Sequence, residues 1–298
     1  MQLSINLGYV LNRRDGGKRS LEEGLKLCRD AGFLKLDYLT PLDSDDYEDK
    51  ALKVKELLDS LGMAVHQTHC PFFRYQENGI ELFAQRSIRA VKASAILGAK
   101  HIVVHADEWP PKGEPYSIHK ALKNNYELIA PVVEECLKHD VHPAFENLFD
   151  ENARPKDTGR DRYCATAEEL LTLIGKFNDS RIGICLDTGH AHVGHKEHYL
   201  GFVNAIADYV TCTHVHDNKN HEDSHLPAFL GTIPFEETFA ILKKHNYQGT
   251  LSWEMVYGRL PDELLPALLA YLAKCGEYLG CEQSFAPIHI AKSLKLKA

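Results

Sequence analysis

Short apolar runs alternate along the chain with longer stretches in which apolar residues recur every three or four positions. The short runs have the length and composition of buried strands. The longer stretches, such as the one that begins with Leu21, Leu25 and Cys28, are typical of amphipathic helices. The pattern predicts strands at residues 3–7, 33–36, 64–66, 101–104, 142–145, 182–186, 210–215 and 250–253.

Residue types at the ends of the periodic stretches support the predicted helices. Ser20 stands where an N-cap is expected, and Thr166 is followed three residues later by Glu169, which is the capping-box spacing. Gly62 and Gly98 follow two of the helices and suit left-handed C-caps.

Eight strand-then-helix repeats favour one architecture. Parallel strands joined by helical crossovers form an α/β fold, and eight of them close a (β/α)8 TIM barrel. We expect a single domain over residues 1–298. An open doubly wound sheet has less support, because no G-x-G-x-x-G follows the first strand. Two long loops, 107–117 and 148–165, would lie over the catalytic face.

The ends of the predicted strands carry side chains that bind metals. From the third strand onward they are His69, His105, Glu146, Asp187 with His190, His214 with Asp223 and His225, and Glu254. In a barrel the carboxyl ends of the strands meet at one mouth. Buried carboxylates together are costly unless a cation lies between them, so the pattern predicts a metal site.

Taken singly, these residues have ordinary explanations. Asp187 could cap the next helix, and Glu146 could simply end a strand. The succession of six strands that end in His, Glu or Asp is what favours a metal site. His66 and His216 stay open, because each lies close to a stronger candidate. We expect four further histidines to be polar loop residues: His192, His195, His198 and His221.

The amino-acid composition bears on the metal, on possible partners and on the cellular compartment. Histidine is frequent, with 17 residues, and imidazole is the commonest metal ligand. The net charge of −8 argues against a nucleic-acid partner without excluding a local basic groove. The eight cysteines are scattered with no C-x-x-C pair, and neither a signal peptide nor a spanning apolar run is evident. We expect a reduced, cytoplasmic protein without a membrane partner. A homo-oligomer stays open.

The combined motif resembles the xylose isomerase-like TIM barrel superfamily, which shares the fold of AP endonuclease family 2. The Asp187-Thr-Gly-His190-Ala and His214-Val-His-Asp-Asn segments are similar to its sugar phosphate isomerase/epimerase branch. The resemblance implies a metal site of Glu146, Asp187, His214 and Glu254. It also implies that the two glutamates act as an acid/base pair.

The same superfamily includes endonuclease IV-like apurinic-site nucleases with a trinuclear zinc site. All nine ligand types of those enzymes have counterparts in this chain: His69, His105, Glu146, Asp187, His190, His214, Asp223, His225 and Glu254. Against the nuclease, Gly189 stands where that group usually has Cys. The segment after His225 follows the isomerase pattern, although only Gly231 remains of the expected glycine-rich turn.

The expectation is a metal-dependent isomerase or epimerase that converts a sugar or sugar phosphate through a metal-stabilised enediolate. The endonuclease and a metal-dependent polyol (inosose-type) dehydratase are the alternatives. Manganese or zinc is the first expectation for the metal, with magnesium or cobalt also compatible. Trp109 and Phe72 would form an apolar wall for the sugar. Arg154, Arg160 and Arg162 on the second long loop are candidates for the anion site of a phosphate, and the alternative is an ordinary solvated loop.

Overall fold

The protein is described from a computed structural model, which covers residues 1–72, 79–106, 116–150, 162–256 and 260–282. Within these ranges the strands are β1 Gln2–Asn6, β2 Lys35–Asp37, β3 Ala64–His69, β4 His101–Val104, β5 His142–Glu146, β6 Gly183–Asp187, β7 Val210–His214 and β8 Thr250–Trp253.

The strands form one sheet that closes on itself. Each pairs in parallel with its sequence neighbour from β1 to β7, and β8 pairs with β1. Between β7 and β8, the Val215 N–H donates to the Ser252 carbonyl at 2.8 Å, and the Glu254 N–H donates to the Val215 carbonyl at 3.0 Å. The prediction of a (β/α)8 barrel is confirmed.

Helices alternate with the strands. Within the described residues they are α1 Leu7–Val10, α2 Leu21–Asp30, α3 Tyr47–Leu61, α4 Ile80–Leu97, α5 Ile118–Lys138, α6 Ala167–Phe177, α7 Thr188–His195, α8 Tyr199–Ile206, α9 Phe235–Lys244 and α10 Leu265–Tyr278. None of them has the length and apolar character that crossing a membrane requires.

The predicted helix ends agree with the structure. The Ser20 hydroxyl accepts the Glu23 N–H at 3.1 Å, and Thr166 and Glu169 form the reciprocal capping box. Gly62 and Gly98 end α3 and α4 with φ of 67° and 76°, a left-handed conformation that glycine adopts without steric cost.

Several strands extend further toward their carboxyl ends than predicted. β2 includes Asp37, β3 continues to His69, and β5 and β6 include Glu146 and Asp187. The apolar pattern stops early because the barrel interior becomes polar toward the mouth, whereas the backbone pairing continues through the polar residues.

An apolar layer lies one step below the polar mouth. Val103, Ala144, Cys185 and Cys212 are fully buried and form one cluster inside the barrel. Each precedes a candidate ligand by two residues, so strand alternation places both side chains on the same face. The candidate ligands therefore lie directly above buried apolar side chains, where an unpaired charge would be costly.

Candidate metal centre

Glu146, at the end of β5, lies at the centre of the mouth. Its Oε2 is 3.3 Å from His69 Nε2, 3.0 Å from His105 Nε2 and 3.1 Å from His214 Nδ1, and its Oε1 is 3.1 Å from His190 Nδ1. The structure thus brings predicted ligands from β3, β4, β5 and β7 and from α7 around one buried carboxylate.

One ring nitrogen of His214 faces both candidate glutamates, and the other faces Asp37. Its Nδ1 is 3.1 Å from Glu146 and 3.3 Å from Glu254, and its Nε2 is 3.0 Å from Oδ2 of Asp37. The amide of Gln67 donates to the same Asp37 oxygen at 3.2 Å. Asp37 therefore fixes the ring of His214 from behind, an arrangement typical of metal-bound histidines.

Sequence reasoning missed Asp37. It directly follows the predicted strand 33–36, and the rule that each strand ends in a ligand-type residue, applied to the second strand as well, would have found it.

The position of Asp187 suits both of the roles considered for it. Its Oδ1 accepts the N–H of His190 at 2.7 Å, so it caps α7. Its ligand atoms also lie within 4.8 Å of those of Glu146 and of Glu254. Asn147 holds the aspartate backbone from both sides, donating to its carbonyl at 2.9 Å and accepting from its N–H at 2.8 Å.

A second group of side chains meets at Asp223. Its Oδ2 lies 3.4 Å from His190 Nε2 and 3.2 Å from His225 Nε2, and its Oδ1 lies 3.6 Å from His216 Nε2. The predicted ligands His190, Asp223 and His225 are therefore together, and His216, which the sequence left open, is beside them.

The histidine rings are oriented as metal ligands are. One ring nitrogen of His69, His190 and His225 faces a backbone carbonyl, that of Cys70 at 2.6 Å, Asn147 at 3.0 Å and Glu254 at 3.0 Å. A carbonyl only accepts, so this nitrogen is a donor, and the other nitrogen is the one left to bind a metal once it has lost its proton. The residues present thus fit a divalent cation.

Opposite charges compensate each other at the site. Burial alone would raise the pKa of Glu146, but the positive charges of His105 and His214 outweigh it and hold that pKa well below the usual range. Burial alone would lower the pKa of His214 and of His190, but the facing carboxylates, Glu254 and Asp187 foremost, raise both well above the usual range. The mouth therefore favours positive charge, and a metal binding there would displace protons.

Of the two residues predicted to form an apolar wall, Phe72 lies within the described residues, at the rim of the mouth. Phe72 packs edge-on to His105, with ring centroids 4.6 Å apart, and the guanidinium of Arg162 lies 5.9 Å from the Phe72 ring. Trp109, Arg154 and Arg160 lie outside the described residues. Tyr9, which sequence reasoning missed, lies 6.2 Å from the His225 ring, and burial and then Glu254 raise its pKa.

Two of the histidines predicted as loop residues lie in α7 instead. His192 is buried, and its Nδ1 lies 2.7 Å from Oδ1 of Asn218. His195 ends α7 and stacks on Phe202 at 4.0 Å between centroids. The prediction was wrong because α7 begins directly after Asp187, with no loop between β6 and the helix. His198 and His221 are exposed, as expected.

His66 lies apart from the mouth. Its neighbour on β3, Gln67, points into the barrel, where it contacts Asp37. The ring of His66 instead packs against that of His101, with centroids 5.4 Å apart.

A family model for the xylose isomerase-like TIM barrel matches residues 25–275 of the chain. The chain belongs to this family. An uncharacterised protein of Methanocaldococcus jannaschii is 26% identical over 166 residues, covering 55% of this chain and 54% of that protein. A probable endonuclease 4 of Staphylococcus aureus is 26% identical over 218 residues, covering 66% and 68%. The chain spans about half the length of the first of these relatives.

Solved structures of similar fold cover nearly the whole barrel. An IolI protein with a bound zinc atom has a TM-score of 0.73 at 15% identity, covering 93% of this chain and 99% of that one. A D-tagatose 3-epimerase-like protein has a TM-score of 0.68 at 20% identity, covering 92% and 99%. A 3-keto-D-glucoside 4-epimerase from E. coli has a TM-score of 0.67 at 18% identity, covering 92% and 100%. At these identities the likeness is one of fold.

Proposed function

We propose that this barrel is a divalent-metal-dependent isomerase or epimerase of a sugar or sugar phosphate. The observation that carries the proposal is the convergence of two glutamates, one at the end of β5 and one directly after β8, on Nδ1 of His214 at 3.1 and 3.3 Å. Two solved structures of similar fold, a 3-keto-D-glucoside 4-epimerase and an IolI protein with a bound zinc atom, also support the proposal.

The proposed cation ligands are Glu146, Asp187, His214 and Glu254. When bound, a divalent cation supplies Lewis-acid stabilisation of the negative charge that develops on the substrate oxygens. The mixture of carboxylates and imidazole suits manganese or zinc first, and magnesium or cobalt also fits.

Glu146 and Glu254 are proposed to move the protons. One carboxylate takes the proton from the carbon next to the substrate carbonyl, which leaves an enediolate. The other returns a proton, on the neighbouring carbon in an isomerisation or on the opposite face of the same carbon in an epimerisation. Glu254 is better placed to release a proton, because its side chain is 12% exposed whereas that of Glu146 is 2% exposed.

The endonuclease remains a second candidate, because counterparts of all nine nuclease ligands surround this mouth and a relative is a probable endonuclease 4. The net charge of −8 gives little attraction for a phosphate backbone. Gly189, against which the ring of His216 packs, is a further departure from the nuclease pattern.

A substrate panel tests the proposal. The metal-loaded protein is incubated with ketoses, ketose phosphates, inososes and a duplex with one abasic site, and products are separated by chromatography or on a gel. Interconversion of at least one sugar pair without nicking of the duplex is expected. Nicking of abasic DNA with no sugar turned over would replace this proposal by the nuclease, and dehydration of an inosose would replace it by the dehydratase.

A further inference from the structure

Two cysteines lie directly below the proposed catalytic residues but have no part in the chemistry described above. Cys185 on β6 pairs in register with Cys212 on β7, and both free thiols are fully buried inside the barrel. The other two members of that cluster, Val103 and Ala144, have no polar side-chain atom. The two sulfurs are therefore the side-chain donor atoms of this layer.

The two sulfurs differ in what they face. Sγ of Cys185 lies within 4.8 Å of a carboxylate oxygen of Glu146 and of a ring nitrogen of His214. Glu146 is also the register partner of Cys185 on β5. Among the described residues no comparable group includes Cys212, whose thiol contacts that of Cys185. Cys185 is therefore the cysteine that is placed to share a cation with Glu146 and His214.

His214 has one ring nitrogen available for such a cation. Its Nε2 faces Asp37 at 3.0 Å. Its Nδ1 is buried, lies 3.1 Å from Oε2 of Glu146, and has no hydrogen-bond partner among the described residues. A buried polar atom without a hydrogen bond needs an explanation, and a cation held between the two side chains provides one.

Sulfur differs from the other donors of the mouth in the cations that it prefers. Carboxylates suit hard ions such as magnesium and manganese, whereas a thiolate selects soft ions. In a tetrahedral site with metal–sulfur bonds near 2.3 Å and bonds to nitrogen or oxygen near 2.1 Å, sulfur lies about 3.6 Å from the other donors. The three donor atoms therefore need to move together by at most about 1.2 Å to bind one ion.

We propose that Cys185, Glu146 and His214 form a binding site for a thiophilic divalent cation such as Cd²⁺. This site shares Glu146 and His214 with the proposed catalytic ion, so the soft ion displaces the catalytic ion and inhibits the enzyme. Only the inhibition rests on the proposed function. Binding of the soft ion through sulfur does not depend on it.

A cadmium titration of the full-length, metal-free chain tests the site. A cadmium–thiolate bond absorbs in the ultraviolet, so the absorbance reports bonding to sulfur directly. The unmutated chain is expected to develop this band and to saturate at one sulfur-bound ion. With manganese-loaded protein, the EPR signal of free Mn²⁺ should rise over the same cadmium range. Absence of the band would overturn the proposal without the use of any variant, and retention of manganese while the band develops would overturn the shared ligands.

The two neighbouring cysteines provide a matched pair of variants. Cys185→Ser replaces the sulfur by a hard oxygen at nearly the same size. It is expected to lose the band and to bind cadmium at least about 10-fold more weakly, while manganese binds as before. Cys212→Ser, equally buried on the next strand, is the control and should keep both the band and the affinity. Manganese binding by Cys185→Ser also shows that this variant is folded.

A thiolate band that persists in Cys185→Ser would overturn the proposal. Equal loss of the band in both variants would also overturn it, because the ion would then need the pair of sulfurs and not Cys185 alone. Since no sugar is turned over in these measurements, failure of the isomerase proposal is detected separately by the substrate panel.

Discussion

Glu146 ends β5 and Glu254 directly follows β8, but their surroundings differ. The Glu146 carboxylate contacts imidazoles of His69, His105, His190 and His214 and is almost completely buried. The Glu254 carboxylate pairs with His214 at 3.3 Å and is partly exposed at the mouth. The two glutamates are therefore expected to contribute unequally to metal binding and to proton transfer.

Glu254→Gln removes a proton carrier but keeps an oxygen for the metal. We expect turnover to fall by about 10²- to 10⁴-fold, the usual contribution of a general acid or base, with most of the metal retained. Glu146→Gln should lose turnover and also weaken metal binding, since several imidazoles face that carboxylate. Steady-state kinetics with metal analysis of the same preparations checks both, and full activity in Glu254→Gln would contradict its role.

Asp37 contacts His214 at 3.0 Å, and we expect it to act through that ring rather than on a substrate. Asp37→Asn keeps the size of the side chain but removes the charge that holds the Nε2 proton of His214. We expect metal affinity to fall by about 10- to 100-fold, measured by chelator competition. Asp30→Asn, an exposed aspartate on α2 paired with Lys26, is the control and should leave the affinity unchanged. Equal metal affinities in the two variants would exclude the positioning role of Asp37.

At the scale of the elements, α6 begins at the Thr166–Glu169 capping box directly after the second long loop. Thr166→Ala should lower the free energy of unfolding by about 1 kcal/mol, because an N–H at the helix start loses its acceptor. Thr172→Ala, at an exposed position in the same helix, should be neutral or slightly stabilising. Chemical denaturation of both variants checks the difference, and equal stabilities would show that the capping box contributes nothing.

Three neighbouring strands carry a row of histidines away from the mouth. The His101 ring lies 5.4 Å from that of His66 on β3 and 5.8 Å from that of His142 on β5. Burial lowers the pKa of His66 to about 4. Burial, together with the neighbouring histidines, lowers that of His101 to about 3. The row is therefore neutral in the folded protein at neutral pH.

This row makes stability depend on pH. A histidine whose pKa is lower in the folded than in the unfolded chain takes up protons on unfolding. The free energy of unfolding therefore falls as the pH drops below about 6.5. At pH 5 the loss from His101 should be at most about 2 kcal/mol. Between pH 7 and pH 5 the free energy of unfolding, measured by denaturation, should fall less for His101→Gln than for His198→Gln, whose site is exposed. Equal differences would contradict this account of the row.

At the scale of the whole molecule, the proposed metal site would couple metal binding to the stability of the barrel. A ligand that binds only the folded state stabilises it by about 2.7 kcal/mol at a concentration 100 times its Kd. We expect chelation to lower the Tm by several degrees and metal to restore it. Asp187→Asn keeps the N-cap acceptor of α7 but loses the charge, so its Tm should respond less. Calorimetry with and without chelator checks this, and a Tm insensitive to metal would contradict the site.

The barrel was predictable from sequence because hydrophobic periodicity is a local signal, and eight repeats leave few topologies. Most of the candidate ligands were predictable because they stand at or directly after the end of a strand. The contacts of Asp37 and His216 were not, since Asp37 reaches His214 over 177 positions and His216 needs the space at Gly189. Such pairings depend on how distant strands are placed in space, and no local pattern records them.

The central claim is that the carboxylates at this mouth remove a proton from the carbon next to a sugar carbonyl. The most direct measurement is deuterium uptake in D2O by a sugar that the panel identifies, followed by NMR at that carbon. Metal-loaded protein should exchange the proton, and Glu254→Gln should do so about 10²-fold more slowly or not at all. Conversion of the sugar with no deuterium at that carbon or at the neighbouring one, or equal exchange by Glu254→Gln, would contradict the claim.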